Sequence, residues 1–263
     1  MAQDLLTAEG TPDRTSLLFA GALLVAGLVV STVAEFLHVA AVDGAQQLHA
    51  AGGQSAEAWF TAYAYATDFT QIHATQFVGT AVLIFGILAV CFALNVNSGI
   101  AGIVNRLAAA SAIAALALNG VLHGVYGVAL KQAVDAWVNA PASEQPALFA
   151  AAQSVRGLQW GVWSYSEFVT GLALLLLAIV IASSARIPRP IGYVMALSGL
   201  GYIVHGYAYG TAYTATSDFF LPSPGIVGLP LIAWTIWLLV SAFRMEKSSR
   251  ESRGRSIEVP RPA

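Results

Sequence analysis

Six long apolar blocks, separated by shorter polar segments, constrain this 263-residue chain more than any other feature. The blocks cover residues 17–38, 72–95, 107–130, 160–181, 191–213 and 225–243. At about 1.5 Å per helical residue, each block is roughly as long as the ~30 Å hydrocarbon core of a bilayer is thick. The blocks lack the ten-residue alternation of a transmembrane β-barrel. The sequence therefore predicts an all-α fold, a bundle of six transmembrane helices.

The composition indicates the same class of protein. Hydrophobic residues make up 57% of the chain and charged residues 10%, against about 45–50% and about 25% in soluble domains. We expect a multi-pass protein of the plasma membrane whose first partner is the lipid bilayer. The net charge of −2 and the absence of a basic face indicate no nucleic-acid partner. A homo-oligomer, a membrane-complex partner and enzymatic activity are left open.

Lys and Arg residues are distributed unequally between the loops. Ten of the twelve lie before the first block, in the second and fourth loops or after the last block, whereas only Lys131 and Arg156 lie in the other loops. Because positive residues concentrate on the cytoplasmic side, both termini are predicted to be cytoplasmic. The expected organisation is a cytoplasmic segment at 1–16, a membrane domain at 17–243, and a basic, disordered cytoplasmic tail at 244–263.

Polar side chains inside five of the blocks recur at separations of three or four residues. The stripes are Ser31, Glu35 and His38; His73, Gln76 and Thr80; Asn119, His123 and Tyr126; Trp163 and Glu167; and Ser198, Tyr202, His205 and Tyr209. Residues three or four apart share one face of a helix. The five stripes therefore predict a common polar interior, and their positions in the blocks place it toward the non-cytoplasmic side.

Acidic and imidazole side chains in this interior are candidate metal ligands. An ionised carboxylate in a membrane costs several kcal/mol, so Glu35 and Glu167 are expected to be protonated, paired, hydrated or bound to a cation. The candidate ligands are Glu35, His38, His73, Asn119, His123 and Glu167. The Glu-x-x-His spacing of Glu35 and His38 also occurs in di-iron bundles, but such a site needs a second pair, which this chain lacks.

Two histidines suggest a haem site as a second kind of centre. His123 and His205 lie on different blocks at similar depth, so they could ligate one iron from both faces of haem b. Gly124 and Gly206 beside them would let a flat macrocycle approach the backbone, although glycines at this spacing also serve close helix packing. Bound haem b or copper would indicate redox chemistry in the outer half of the membrane.

One segment resembles a known metal-binding family. Residues 66–77, Ala-Thr-Asp-Phe-Thr-Gln-Ile-His-Ala-Thr-Gln-Phe, resemble the segment that carries a metal-binding His in the C subunit of the membrane copper monooxygenases. An Asn-x-x-x-His pair follows on the next helix in both cases, so the resemblance implies His73, Asn119 and His123 as copper ligands. A second metal position of that family falls at Phe60 here and is absent. The rest of the chain resembles bacterial polytopic membrane proteins of unknown function.

Two further functions remain open. A proton-coupled carrier of a small solute would use Glu167 as the titrating group and His205 as its partner, since a buried carboxylate and an imidazole can exchange a proton. A non-catalytic accessory or assembly subunit would use the same side chains only as hydrogen-bonding partners within the bundle.

Overall fold

The computed structural model describes residues 14–49, 55–184, 187–212 and 224–256, and these ranges contain helices and short connections but no strand. The α-helices are α1 Arg14–His49, α2 Ala56–Tyr65, α3 Phe69–Ala93, α4 Gly99–Gly124, α5 Lys131–Val138, α6 Gln145–Ser183, α7 Arg189–Ala212 and α8 Pro224–Ser256. A π-helical segment, Val125–Leu130, joins α4 to α5 without a break. The predicted all-α class is confirmed.

Five stretches of the described residues are long and apolar enough to cross a membrane. They are Arg14–Gly44, Phe69–Ala93, Gly99–Val138, Gln145–Ser183 and Gly228–Met245. A multi-pass membrane protein is therefore supported. The fifth predicted block corresponds to α7, which has 24 residues but is not among these stretches, so the sixth span stays a prediction.

Helix α7 lies antiparallel to α6 and close to it. A Cβ atom added at Gly192 would lie 2.9 Å from the carbonyl oxygen of Ala178, and one added at Gly206 would lie 2.8 Å from that of Ser164. Gly199, midway between them, makes an equally close approach to α6. Glycines seven residues apart on one helix face allow such backbone contact, so α7 follows α6 along most of its length.

Polar side chains cap the start of α2 and stabilise the turn between α3 and α4. The side chain of Ser55 accepts a hydrogen bond from the Ala58 N–H and so caps the start of α2. Asn95 adopts a left-handed conformation with φ of 49° between α3 and α4, a conformation that Asn tolerates better than most residues. Asn105 on α4 donates a hydrogen bond of 2.9 Å to the carbonyl oxygen of Cys91 on α3. These contacts hold α3 and α4 as an antiparallel hairpin.

Two apolar clusters fill the two ends of the bundle. We call the end where α1 ends, α3 begins and α2 packs on α1 and α5 the α2 end. The larger cluster lies away from it and includes Leu24, Leu177 and Trp234. The smaller cluster lies at the α2 end and includes Phe60 and Phe69. The predicted polar stripes of α1, α3, α4 and α6 fall between these clusters in sequence, so a polar layer separates two apolar layers.

The helices extend beyond the apolar blocks at several ends. The fourth block was predicted at 160–181, but α6 is one continuous helix of 39 residues. The tail predicted to be disordered from Arg244 is helical in the structure as far as Ser256, the last residue of α8. Residues 1–13 and 257–263, which belong to the two predicted cytoplasmic segments, lie outside the described residues.

The predicted orientation can be checked by cysteine labelling in a Cys91→Ala background. Ser55 and Ser143 lie at the α2 end and Ser98 at the opposite end, and all three residues are exposed. If the α2 end faces outward, cysteines at Ser55 and Ser143 should react with an impermeant maleimide in intact cells. A cysteine at Ser98 should react only after permeabilisation. The reverse pattern would invert the topology.

Candidate functional site

A cavity of about 180 Å³ lies between α1, α3, α4 and α6, in the layer between the two apolar clusters. Ten of its eleven lining residues carry a polar or ionisable group. The lining residues are Ser31, Glu35, His38, Gln76, Thr80, Asn119, Leu122, His123, Tyr126, Trp163 and Glu167. Because a water molecule occupies about 30 Å³ in the liquid, the cavity has room for several waters or a small solute.

Glu35 forms the rim of the cavity on α1. The residue is exposed, and its Oε2 accepts a hydrogen bond of 2.8 Å from Nε2 of Gln76 on α3. Gln76 itself is buried. An amide donor stabilises a carboxylate without supplying a positive charge, so the Glu35 carboxyl group can bind either a proton or a cation.

Glu167 lies on the α6 wall of the cavity, with 14% of its side chain exposed. Its Oε1 accepts a hydrogen bond of 3.1 Å from the indole Nε1 of Trp163, one turn earlier on α6. Its Oε2 lies 3.4 Å from Nδ1 of His205 on α7. This separation fits an ion pair, although the two groups are not aligned as a hydrogen bond. Glu167 therefore connects the cavity to α7.

Three histidines from three helices form a row beside the cavity. The ring centroids of His38 and His73 are 4.9 Å apart, and those of His73 and His123 are 5.7 Å apart. His73 is only 1% exposed and interacts electrostatically with the Gln76 side chain, but neither of its ring nitrogens has a well-oriented hydrogen-bond partner among the described residues. Such buried, unsatisfied groups are rare in proteins and often belong to functional sites.

Tyr126 in the π segment packs against this row. Its ring centroid is 4.1 Å from that of His73, and its hydroxyl is 3.3 Å from Nε2 of His38. The same hydroxyl donates a hydrogen bond of 3.3 Å to the hydroxyl of Tyr63 on α2. The wider turn of the π segment places Tyr126 here, and π segments inside α-helices frequently occur at functional sites.

Arg156 covers the tyrosines on the side of the α2 end. Its guanidinium carbon lies 5.4, 5.3 and 5.2 Å from the ring centroids of Tyr63, Tyr126 and Trp160. Its Nη1 donates a hydrogen bond of 2.7 Å to Oε1 of Gln159. Contacts between a guanidinium group and aromatic faces are attractive, so this cation is held in place near the cavity although it is not one of the lining residues.

A family model described as a domain of unknown function, DUF4386, matches residues 19–242. The chain belongs to the DUF4386 family. The match includes every residue that lines the cavity. No curated protein and no solved structure matches the chain. The family match assigns no function to this DUF4386 chain, and the comparisons do not support the local resemblance to the copper monooxygenases.

The structure brings most of the predicted metal ligands of this DUF4386 chain together. Five of the six line the cavity, namely Glu35, His38, Asn119, His123 and Glu167, and His73 lies directly behind it. The side-chain amide of Asn119 donates a hydrogen bond to the carbonyl oxygen of Ala115 in its own helix. Within the described residues, no group of three or more His, Cys, Asp or Glu side chains is already arranged to hold a metal ion.

The two predicted haem ligands of the DUF4386 chain lie on different sides of Glu167. His123 lines the cavity together with Glu167, whereas His205 approaches that carboxylate from α7 and is not among the lining residues. The glycines that follow the two histidines, Gly124 and Gly206, have different surroundings. Gly206 makes a close contact with α6, whereas nothing lies within 4 Å of a Cβ atom added at Gly124.

Sequence reasoning missed the groups at the α2 end of the DUF4386 cavity. Tyr63 and Arg156 lie outside the predicted stripes, and Trp163, although it belongs to one of them, was not predicted to donate a hydrogen bond to Glu167. One signal was present, because Arg156 is one of only two cations outside the predicted cytoplasmic segments. A cation that lies outside the segments where Lys and Arg concentrate indicates a specific interaction partner within the protein.

Proposed function

We propose that the protein binds a small solute with positive charge or hydrogen-bond donors in the cavity, and exchanges it for a proton on Glu167. This is the activity of a proton-coupled carrier. The observation that carries the proposal is the position of Glu167, whose two oxygens approach Trp163 and His205 at the wall of a cavity lined by no Lys or Arg.

The Glu167 carboxyl group and the His205 imidazole lie close enough to share one proton in two arrangements. With its proton on His205, Glu167 is ionised and paired; with the proton on Glu167, both groups are neutral. A positively charged or donor-rich solute stabilises the ionised carboxylate, whereas an empty cavity of low dielectric favours the neutral one. A cationic solute beside the ionised carboxylate also disfavours a protonated His205, so the proton of the pair passes to water when the solute binds, and its return to Glu167 releases the solute.

The size of the cavity favours a small solute over haem b. Pockets for drug-sized ligands have volumes of about 300–1,000 Å³, and haem is at least as large as such ligands, whereas this cavity has about 180 Å³. An accessory subunit without a ligand would gain nothing from two carboxyl groups in a polar cavity, because such groups are costly in a membrane. Redox chemistry at haem is therefore less well supported than solute binding.

The distribution of Lys and Arg predicts which side of the membrane the cavity faces. With both termini in the cytoplasm, as the positive-inside rule predicts, the α2 end faces outward and the cavity lies nearer the outer surface of the plasma membrane. The larger apolar cluster then separates the cavity from the cytoplasm. Transport would require this cluster to open, which is the conformational change that a carrier undergoes between its two states.

Substituting Glu167 by Gln tests the proposal, because it keeps the shape of the side chain and removes its charge. The purified protein is mixed with guanidinium, tetramethylammonium, Na⁺, Zn²⁺ or glycine in weak buffer, and a pH dye reports proton release. The wild type should release about one proton per bound solute with at least one of these probes, and Glu167→Gln should release none.

The matched control is Glu57→Gln, which removes a carboxylate from the exposed surface of α2. This variant should release protons as the wild type does. Equal proton release from wild type and Glu167→Gln with every probe would show that Glu167 is not the coupling group, and the proposal would then be abandoned.

A further inference from the structure

The row of histidines beside the cavity has spacings that suit a shared metal ion. The ring centroids are 4.9 Å apart between His38 and His73 and 5.7 Å apart between His73 and His123. Imidazoles bound to one tetrahedral ion at about 2.0–2.1 Å have ring centroids about 5 Å apart. The observed separations are close to this value, so the rearrangement needed for ligation is mainly a rotation of the rings.

The nitrogens of these rings lack the partners that a purely structural role would require. Nδ1 of His38, both ring nitrogens of His73 and Nδ1 of His123 are buried, and none has a well-oriented hydrogen-bond partner among the described residues. A histidine that serves only packing normally satisfies both of its nitrogens. One nitrogen of neutral His73 must carry a proton, so each of the three rings can offer one lone pair, which is what a shared metal ion would accept.

The hydrogen bonds of Tyr126 favour one tautomer of His38. When the hydroxyl of Tyr126 donates its proton to Tyr63, it acts toward Nε2 of His38 as an acceptor. His38 then carries its proton on Nε2 and presents a lone pair on Nδ1, the buried nitrogen without a partner. Metal-binding histidines are typically oriented in this way, by a hydrogen bond from the nitrogen that does not bind the metal.

The backbone of the π segment lies very close to His73. A Cβ atom added at Gly127 in the π segment would lie 3.1 Å from Cγ of His73. The carbonyl oxygen of Gly127 accepts a hydrogen bond of 2.7 Å from the hydroxyl of Thr70, one turn before His73 on α3. These contacts hold α3 and the π segment together, so His73 and Tyr126 keep their relative positions.

The cavity also supplies the negative charge that a metal ion needs in a membrane. His38 and His123 line the same cavity as Glu35 and Glu167. Three neutral imidazoles leave the charge of a divalent ion uncompensated, and two carboxylates nearby would offset it in a medium of low dielectric. Imidazole ligands favour zinc, copper, nickel and iron over magnesium and calcium.

We infer that His38, His73 and His123 form a binding site for a first-row transition-metal ion with affinity for imidazole, such as Zn²⁺ or Cu²⁺. This inference rests on the proposed function and names the class of solute, since the metal ion is the cation whose binding displaces the proton of Glu167. Tyr126 is a positioning residue that holds the Nδ1 lone pair of His38 toward the ion.

The test uses the full chain, purified in detergent and freed of metal with a chelator. Zn²⁺ affinity is measured by competition with a chromophoric chelator, and Cu²⁺ ligation by electron paramagnetic resonance. The wild type should bind one ion per chain with nitrogen hyperfine coupling. Tyr126→Phe should weaken binding about 10–100-fold at unchanged stoichiometry, and His73→Ala should weaken it further. If His73→Ala does not fold, His123→Ala serves in its place.

The control is His49→Ala, which removes an imidazole at the last residue of α1, eleven positions beyond His38; it should bind Zn²⁺ as the wild type does. Equal Zn²⁺ binding by wild type and His73→Ala would overturn the metal inference, while Glu167-dependent proton release by guanidinium would leave the proposed function standing. Zn²⁺ binding through His73 without Glu167-dependent proton release would keep the metal site and overturn the coupling.

Discussion

Replacing Trp234 by alanine is expected to lower the free energy of unfolding by about 3 kcal/mol. Trp234 on α8 is fully buried, and it has the largest side chain among the fully buried residues of the described chain. Its removal leaves a cavity in the larger apolar cluster that the surrounding helices cannot fill. The effect lies at the lower end of the ~3–5 kcal/mol range for soluble proteins because the indole leaves lipid, not water, when the helices associate.

The matched control is Trp237→Ala, three residues later on the same helix. Trp237 is 39% exposed, so its loss removes few contacts within the protein and should change stability by less than about 0.5 kcal/mol. Unfolding by increasing amounts of sodium dodecyl sulfate, followed by circular dichroism, measures both variants. Equal destabilisation of the two would mean that α8 does not present Trp234 to the bundle.

Adding one methyl group at Gly27 is expected to destabilise the protein by about 1–3 kcal/mol. A Cβ atom at this position on α1 would lie 2.7 Å from Cα of Leu83 and 2.8 Å from the carbonyl oxygen of Gly79, both on α3. Backbone atoms cannot move aside as a flexible side chain can. Gly27→Ala must therefore push α1 away from α3, and with it Glu35 away from Gln76.

The same substitution at Gly124 should not lower the stability of the protein. Nothing lies within 4 Å of a Cβ atom added there, and alanine is favoured over glycine inside a helix by about 0.5–1 kcal/mol. Gly124→Ala should thus be neutral or stabilising in the same detergent-unfolding assay. Destabilisation by Gly124→Ala as large as that by Gly27→Ala would contradict the helix contacts of the structure.

The polar stripes of four blocks could be predicted from the sequence, and the structure joins them in one cavity. Their spacing is a local property, because residues three or four apart share a helix face wherever the helix lies. Contact between stripes on different helices, in contrast, depends on how the helices pack and cannot be read from residue spacing. His205 belongs to the stripe of α7, yet it does not line the cavity and approaches Glu167 from α7.

The contact between Tyr63 and Tyr126 beside His38 could not be predicted from the sequence. Tyr63 and Tyr126 are 63 residues apart, and their hydroxyl groups meet only because α2 packs at the end of the bundle beside the π segment. The π segment itself has no sequence signal in an apolar block. The hydrogen bond from Thr70 on α3 to the carbonyl oxygen of Gly127 joins this segment to a helix that is distant in the sequence.

The sequence by itself determined the class of the protein, its helical architecture and a charge asymmetry, because these are sums over many residues that no single contact can change. Only the tertiary structure decided which face of each helix is internal. Lipid is as apolar as the protein core, so hydrophobic periodicity does not separate a buried face from a lipid-facing one. Trp234 and Trp237 look alike in the sequence, but one is fully buried and the other faces outward, because α8 packs with one side against α1 and α7.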